Sequence, residues 1–273
     1  MSKKHDKKIL EQQIFKTLLS PEDKRDYNIE KVSKTIIVLP DKYESKQTEI
    51  LNQGSVGSCV AHSCASTIMT CEEHSYEKHN NYSRGYIYAN RLDTDYQKSG
   101  MYPRQALKQL NKCGDVLYED FPYNIEYPEI KEKLKGIEEE LAKKANQYKI
   151  INYYRCYTEE DIKATILNKG ACIICVPVYE TFNRDLKEIG KTLKGYHAMT
   201  VIGWTKDYWI IQNSWGKNWG YKGKLHMYYN YPWDEAWGLS VQEDNIQPVP
   251  KRNWFEKLIL IIKNWFKNIF KKK

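Results

Sequence analysis

The sequence lacks a long uninterrupted apolar run. Residues 1–20 are rich in charge and carry no apolar stretch of the length that a secretory signal needs. The best candidate for a membrane span, residues 254–270, is broken by lysines and asparagines. A membrane-spanning helix is therefore excluded and export by the secretory route is not indicated. We expect a cytoplasmic protein.

Cysteine is too scarce and too scattered for a fold built on disulfides. Seven cysteines occur in 273 residues, an odd count that fits a reducing interior. Cys172 and Cys175 form a C-x-x-C pair, but they lie within an apolar run and no second pair accompanies them. Core thiols are therefore favoured over a zinc or redox site, and no metal or cofactor is expected.

Negative charge is nearly absent from the end of the chain, and this explains the positive net charge of the whole protein. The net charge is +8, and residues 251–273 contribute +7 of it, with eight lysines or arginines against Glu256 alone. The rest of the chain is almost neutral. A nucleic-acid partner is therefore not expected, since such proteins carry a basic patch on the folded body.

The basic tail has two chemically different faces when it is drawn as a helix. At about 100° per residue, the apolar side chains of residues 254–270 fall on one half and most charged or amide side chains on the other. This composition is typical of a helix that lies in an anionic membrane surface, here through residues 253–273. The alternative is a terminal helix that docks on the body or on a partner subunit.

The order of the predicted elements indicates an α+β protein. We predict helices at Cys59, at Arg104–Lys112, at Ile130–Gln147 and after the capping box at Thr158–Asp161. Short β-branched and aromatic runs then predict strands in residues 171–178, 197–204, 208–213 and 224–229. We assign residues 1–38 to a leader of helical pieces, 39–246 to the main domain and 247–273 to a Pro-containing linker and amphipathic helix.

Cys59 follows a loop rich in glycine and serine and opens a predicted helix. The N–H groups and positive partial charge at a helix N-terminus stabilise a thiolate, the reactive form of cysteine. Gly54 and Gly57 let the backbone approach a substrate closely. The amide of Cys59 and the side chain of Gln53 are thus candidates to bind an oxyanion.

The second half of the chain supplies partners for a thiol. His197 begins one predicted strand, and imidazole is the side chain best suited to exchange protons near neutral pH. Asn213 ends the next predicted strand, where its side chain can fix the tautomer of the histidine. A strand, a turn and a returning strand bring the two residues side by side.

These segments resemble the signatures of the papain family of cysteine peptidases, in its bacterial or viral branch. In this sequence, NQGSVGSCVAHS is similar to the cysteine signature of the family. HAMTVIGW and NSWGKNWGYKG are similar to its histidine and asparagine signatures. Cys59 and His197 are 138 residues apart, within the spacing of about 130–150 noted for this family. The resemblance covers roughly residues 39–244.

The resemblance implies a papain-like fold of two lobes, one helical with the nucleophile helix and one an antiparallel, barrel-like sheet. It implies a thiol endopeptidase acting on protein or peptide substrates: Cys59 attacks, His197 transfers protons, Asn213 holds the ring, Gln53 binds the oxyanion and Trp215 covers the Asn–His bond. Substrate is expected to lie between the strand Gly100–Met101 and the segment at Tyr196, which immediately precedes His197.

Departures from the family pattern leave the substrate open. Val56 stands where secreted members usually have a disulfide cysteine, and Met101 replaces a second glycine of the cleft strand. The long inhibitory prosegment of many members is not expected, because the main domain begins at residue 39. Two alternatives keep the same scaffold: a lytic enzyme that cleaves cell-wall peptide crosslinks, and a non-catalytic peptide-binding module.

Overall fold

The structure, a computed structural model, describes residues 3–24, 26–27, 39–78, 80–92 and 99–242. Residues 1–242 form one compact unit. The tail predicted to be an amphipathic helix, residues 247–273, lies outside the described residues. Within the described ranges, no helix combines the length and apolar character needed to cross a bilayer.

Helices fill most of the first half of the described chain. They are α1 (Lys3–Leu10), α2 (Cys59–Tyr76), α3 (Arg84–Ala89), α4 (Pro103–Lys112), α5 (Glu129–Leu134), α6 (Glu138–Ala145) and α7 (Glu159–Lys169). The helices predicted at Cys59 and at Arg104–Lys112 are present. The capping box is also present, because Thr158 accepts from Asp161 N and the Asp161 side chain accepts from the Thr158 backbone.

One helix was predicted over residues 130–147, and this prediction is wrong in part. The structure has two helices, α5 and α6, separated at Gly136, whose φ is +83°. A left-handed backbone at this residue ends α5, and glycine adopts it without steric cost. Apolar residues recur at helical spacing on both sides of Gly136, and the sequence pattern therefore predicted one continuous helix.

The central helix α2 is buried on nearly every side. Fifteen of its eighteen residues are buried, and it packs against α3, α4 and the sheet. A helix enclosed in this way needs no polar face, which explains the run of small and apolar residues from Val60 to Cys71. Its start at Cys59 is therefore fixed by packing along its whole length.

Seven strands from the second half of the chain and one short strand from the first half form an eight-stranded sheet. Its strands are β1 (Tyr43–Glu44), β2 (Ile150–Cys156), β3 (Cys172–Tyr179), β4 (Asp185–Leu186), β5 (Leu193–Trp204), β6 (Tyr208–Gln212), β7 (Lys224–Tyr228) and β8 (Glu235–Val241). The order is β2-β8-β3-β5-β6-β7-β4, with β1 paired to β5. All pairs are antiparallel except β4 with β7. The four predicted strands are present as β3, β5, β6 and β7.

Two hydrophobic cores hold this α+β arrangement together. The first lies between the helices and one face of the sheet and includes Ile68, Leu107 and Ile173. The second lies on the other side of the sheet and includes Ile174 and Trp209. Strand β3 contributes to both, because alternate side chains of a strand point to opposite faces. The contact of α2 with β5 belongs to the first core, and the candidate site lies at its Cys59 end.

Candidate active site

The thiol of Cys59 lies at the first residue of α2 and is fully buried. The loop of residues 52–58 leads into the helix and turns at Gly54, whose φ is +56°. The Ser58 side chain caps no N–H of the helix and contacts His62 Nδ1 at 3.1 Å instead. The first N–H groups of α2 therefore remain available to stabilise negative charge at the sulfur.

His197 and Asn213 are joined by a hydrogen bond. His197 lies in β5 and Asn213 directly follows β6, and the pairing of these strands sets the two side chains together. Nε2–H of His197 donates to Asn213 Oδ1 at 2.9 Å, and Oδ1 also accepts from Ser214 N at 2.8 Å. Since Oδ1 can only accept, Nε2 carries the hydrogen and Nδ1 of the neutral ring keeps its lone pair.

Aromatic rings enclose the histidine. Trp215 stacks on the imidazole of His197 with ring centres 4.9 Å apart, and Phe182 and Phe15 meet it edge-on at 6.3 and 6.0 Å. Burial lowers the pKa of His197 to about 4, and the hydrogen bond to Asn213 opposes this shift. The ring is therefore neutral in this structure at neutral pH.

Gln53 is held by both ends of its amide group. Its Oε1 accepts from Ser214 Oγ at 2.7 Å and its Nε2 donates to Val56 O at 2.9 Å. Its backbone N–H donates to Ser214 O at 2.8 Å. Because Nε2 has two hydrogens, one remains for an oxyanion. Sequence reasoning missed Ser214, although its place beside Asn213 was a usable signal.

The cleft above Cys59 is occupied by the chain's own N-terminal region. We call residues 15–18 the cleft segment. Met101 N donates to Lys16 O at 3.3 Å and Leu18 N donates to Met101 O at 3.1 Å, so one wall pairs with the segment as a strand. On the other wall, Tyr196 O accepts from Thr17 N at 3.2 Å. Sequence reasoning predicted neither this segment nor its position.

Two glycines make room for the cleft segment. A Cβ on Gly100 would lie 2.5 Å from Lys16 O, and a Cβ on Gly195 would lie 2.6 Å from Phe15 O. Both glycines have positive φ, +94° and +145°. The residues predicted to bind substrate, Gly100, Met101 and Tyr196, are thus brought together, and they line the space that the segment fills.

The thiol of Cys59 is hydrogen-bonded to the cleft segment and not to the imidazole. Thr17 Oγ1 lies 3.1 Å from Cys59 Sγ, whereas His197 Nδ1 makes no hydrogen bond in the described part of the chain. Burial raises the pKa of Cys59, and the contacts with Thr17 and with the backbone of Ala198 oppose the rise. Burial and the missing contact with the imidazole therefore both favour the neutral thiol over the thiolate.

The cleft segment is anchored on both sides. Before it, Asp6 in α1 accepts from Gly220 N at 3.1 Å. After it, Ser20 N donates to Glu235 Oε1 at 2.9 Å, and Ser20 Oγ accepts from Arg104 N at 3.2 Å. The segment is therefore held at both ends, before it to Gly220 between β6 and β7, and after it to Glu235 of β8 and Arg104 of α4. Across the described ranges, no three His, Cys, Asp or Glu side chains converge as a metal site.

Comparison with known proteins assigns the family. The family model described as papain family cysteine protease matches residues 39–240, and the chain therefore belongs to the papain family of cysteine proteases. The fold agrees: xylellain, a cysteine protease from Xylella fastidiosa, has a TM-score of 0.73 at 25% identity, over 84% of this chain and 96% of that one.

Individual relatives are distant. A cysteine protease of Blomia tropicalis is 29% identical over 68% of this chain and 60% of its own length. An uncharacterized peptidase C1-like protein of Acanthamoeba polyphaga mimivirus is 28% identical over 68% of this chain and 66% of its own length. The chain thus spans less than two thirds of the length of these relatives.

Proposed function

We propose that the protein is a thiol-dependent endopeptidase that hydrolyses peptide bonds through an acyl-enzyme. The observation that carries this proposal is the occupied cleft: an extended polypeptide, hydrogen-bonded to Met101 and Tyr196, passes over the thiol of Cys59. A cleft that pairs with an extended backbone in this way suits a protein or peptide substrate. Membership of the papain family supports the same chemistry.

In the proposed mechanism, Nδ1 of His197 takes the proton of Cys59 once the cleft is free. The thiolate then attacks the substrate carbonyl carbon, and the carbonyl electrons move to its oxygen, which accepts from Cys59 N–H and Gln53 Nε2–H. His197 returns the proton to the leaving amine as the C–N bond breaks. Water, deprotonated by His197, then hydrolyses the thioester. Asn213 keeps the ring oriented, and Trp215 shields their hydrogen bond.

We further propose that the cleft segment keeps the enzyme latent. It fills the substrate position, and Thr17 Oγ1 contacts the sulfur while Nδ1 of His197 does not. Release is expected to require loss of its backbone bonds to the walls. The test is the rate at which Cys59 is labelled by an epoxide thiol inhibitor in the wild-type chain and in Thr17→Pro.

Replacement of the nucleophile tests the catalytic proposal. Cys59→Ala should abolish peptide turnover and epoxide labelling without unfolding the protein, because alanine fits at the first turn of α2. Cys113 is the exposed cysteine and the other six are buried, so Cys113→Ser gives a background without off-site labelling. Unchanged hydrolysis by Cys59→Ala would contradict the assignment.

Two alternatives to the endopeptidase predict different experimental results. A lytic enzyme would clear purified cell walls and leave casein intact, and a peptide-binding module would show no labelling at Cys59 even in Thr17→Pro. Within the residues that the structure describes, no feature favours either alternative over the endopeptidase.

We also propose that residues 253–273 bring the enzyme to an anionic membrane surface, an idea that depends on their charge and aromatic pattern alone. Deletion of residues 251–273 should reduce binding to vesicles containing phosphatidylserine and leave peptide turnover unchanged. Equal vesicle binding by the shortened chain would contradict the proposal.

A further inference from the structure

A chain of hydrogen bonds joins the loop before Cys59 to the cleft strand. Gly57 N donates to Glu126 Oε2 at 2.6 Å, and the hydroxyl of Tyr88 donates to Glu126 Oε1. Gly100 N in turn donates to the Tyr88 hydroxyl at 3.3 Å. Two side chains, one from α3 and one from the segment before α5, thus connect Gly57 with Gly100.

Both ends of this connection are functional backbone. Gly57 lies two residues before Cys59, in the loop whose conformation sets the direction of the Cys59 amide. Gly100 immediately precedes Met101, which pairs with the occupant of the cleft. The connection therefore spans from the nucleophile side of the site to the backbone-binding wall, and it touches neither the sulfur nor the imidazole.

The carboxylate of Glu126 is well placed to restrain the loop. It accepts from Gly57 N and the Tyr88 hydroxyl, and Oε1 also lies 3.3 Å from Tyr127 N. Hydrogen bonds to a charged acceptor are roughly twice as strong as neutral ones. The neighbouring Asn124 adds a second tie, because its Nδ2 donates to Asn52 O at 3.1 Å.

The cleft end is held from the other side as well. Arg91 Nη1 donates to Gly100 O at 2.9 Å, and its guanidinium lies 3.8 Å from the ring centre of Tyr127. Tyr88 and Arg91 are almost fully buried, so these contacts are not exchanged for water. All seven cysteines are free, and no covalent crosslink therefore restrains the loop of residues 52–58.

We propose that Glu126 and Tyr88 are positioning residues for catalysis: Glu126 fixes the loop that aims Cys59 and its amide, and Tyr88 ties that loop to the strand that binds substrate backbone. This inference rests on the proposed peptidase function. It predicts that the two residues affect different kinetic constants: loss of Glu126 lowers kcat, and loss of the Tyr88 hydroxyl raises KM.

The test uses full-length chains carrying Thr17→Pro and Cys113→Ser, with a fluorogenic peptide as substrate. Glu126→Ala should lower kcat by about tenfold or more, given that a 1 Å misplacement costs roughly a hundredfold, and should change KM less than threefold. Tyr88→Phe should raise KM about fivefold and leave kcat within about threefold, since Gly100 N loses its acceptor. Glu129→Ala, an exposed residue at the start of α5, is the matched control and should equal the parent.

Iodoacetamide separates positioning from general loosening, because it alkylates Cys59 without using the cleft strand. Its rate should fall in Glu126→Ala and stay at the parent value in Tyr88→Phe. The proposal would be overturned if kcat were equal in Glu126→Ala and the parent. It would also be overturned if Glu126→Ala, Tyr88→Phe and the control Glu129→Ala all lost the same share of activity. If Glu126→Ala does not fold, Glu126→Gln decides: a several-fold lower kcat supports the proposal and an unchanged kcat refutes it. An inactive, unlabelled parent would instead refute the peptidase function.

Discussion

The hydrogen bonds of Thr17 provide a quantitative test of latency. Thr17→Pro removes two of them, the bond from Thr17 N to Tyr196 O and the contact of the hydroxyl with Cys59 Sγ. At about 1 kcal/mol net for each bond, the closed state should lose about 2 kcal/mol relative to the open state. The open population should then rise about thirtyfold, since 1.4 kcal/mol corresponds to a factor of ten.

The rate of epoxide labelling at Cys59 measures this population, in chains that carry Cys113→Ser. Thr17→Val keeps the backbone N–H and loses only the hydroxyl, so that its rate should rise about fivefold, as expected for about 1 kcal/mol. Thr17→Ser keeps both groups and serves as the matched control at the wild-type rate. Wild-type labelling in Thr17→Pro, or equally rapid labelling in Thr17→Ser, would refute the view that these bonds hold the segment closed.

Two further predictions concern the histidines. Asn213→Ala should lower kcat at least tenfold in the Thr17→Pro chain with a smaller change in KM, because Nε2–H of His197 loses the acceptor that orients the ring. A peptide turnover assay measures both constants. An unchanged kcat would show that the aromatic rings alone orient the imidazole. Burial lowers the pKa of His197 to about 4 and that of His62 to about 3. Unfolding exposes both rings to an ordinary pKa of about 6.5, so the unfolded chain binds more protons below that value and stability should fall as the pH drops from about 6.5 towards 4. Urea unfolding of Cys59→Ala at pH 7 and pH 5 checks this, and a higher midpoint at pH 5 would contradict it.

The parts of the fold that local sequence predicts are those with a local cause. The run from Val60 to Cys71 and the four central strands carry their own apolar signal, and Thr158 and Asp161 cap their own helix. Strands β2 and β8 were missed because polar residues interrupt them: Glu235 and Ser240 are buried in β8. The carboxylate of Glu235 accepts hydrogen bonds from Ser20 N and Trp237 Nε1. Ser20 is distant in sequence, so local sequence does not indicate that Glu235 can be buried.

The cleft segment shows the same limit more clearly. Nothing in residues 15–18 distinguishes them from other polar or mixed stretches, and their partners lie in three other parts of the chain, at Cys59, Met101 and Tyr196. The prediction of the cleft walls came from the family resemblance, which concerns substrate. That residues 15–18 fill the same space follows only from the folded structure.

Occupation of the cleft changes the chemistry of the site as well as access to it. Burial raises the pKa of Cys59 and lowers that of His197, so both shifts favour the uncharged pair. Removal of the segment should admit water, weaken both shifts of pKa and let the proton pass from the sulfur to Nδ1 of His197. Iodoacetamide, which is small and requires no strand pairing, should therefore react more slowly with Cys59 in the wild-type chain than in Thr17→Pro across pH 6–8. Equal rates in that range would mean that the segment excludes substrate without restraining the thiol, and that the charge state of the pair is set elsewhere.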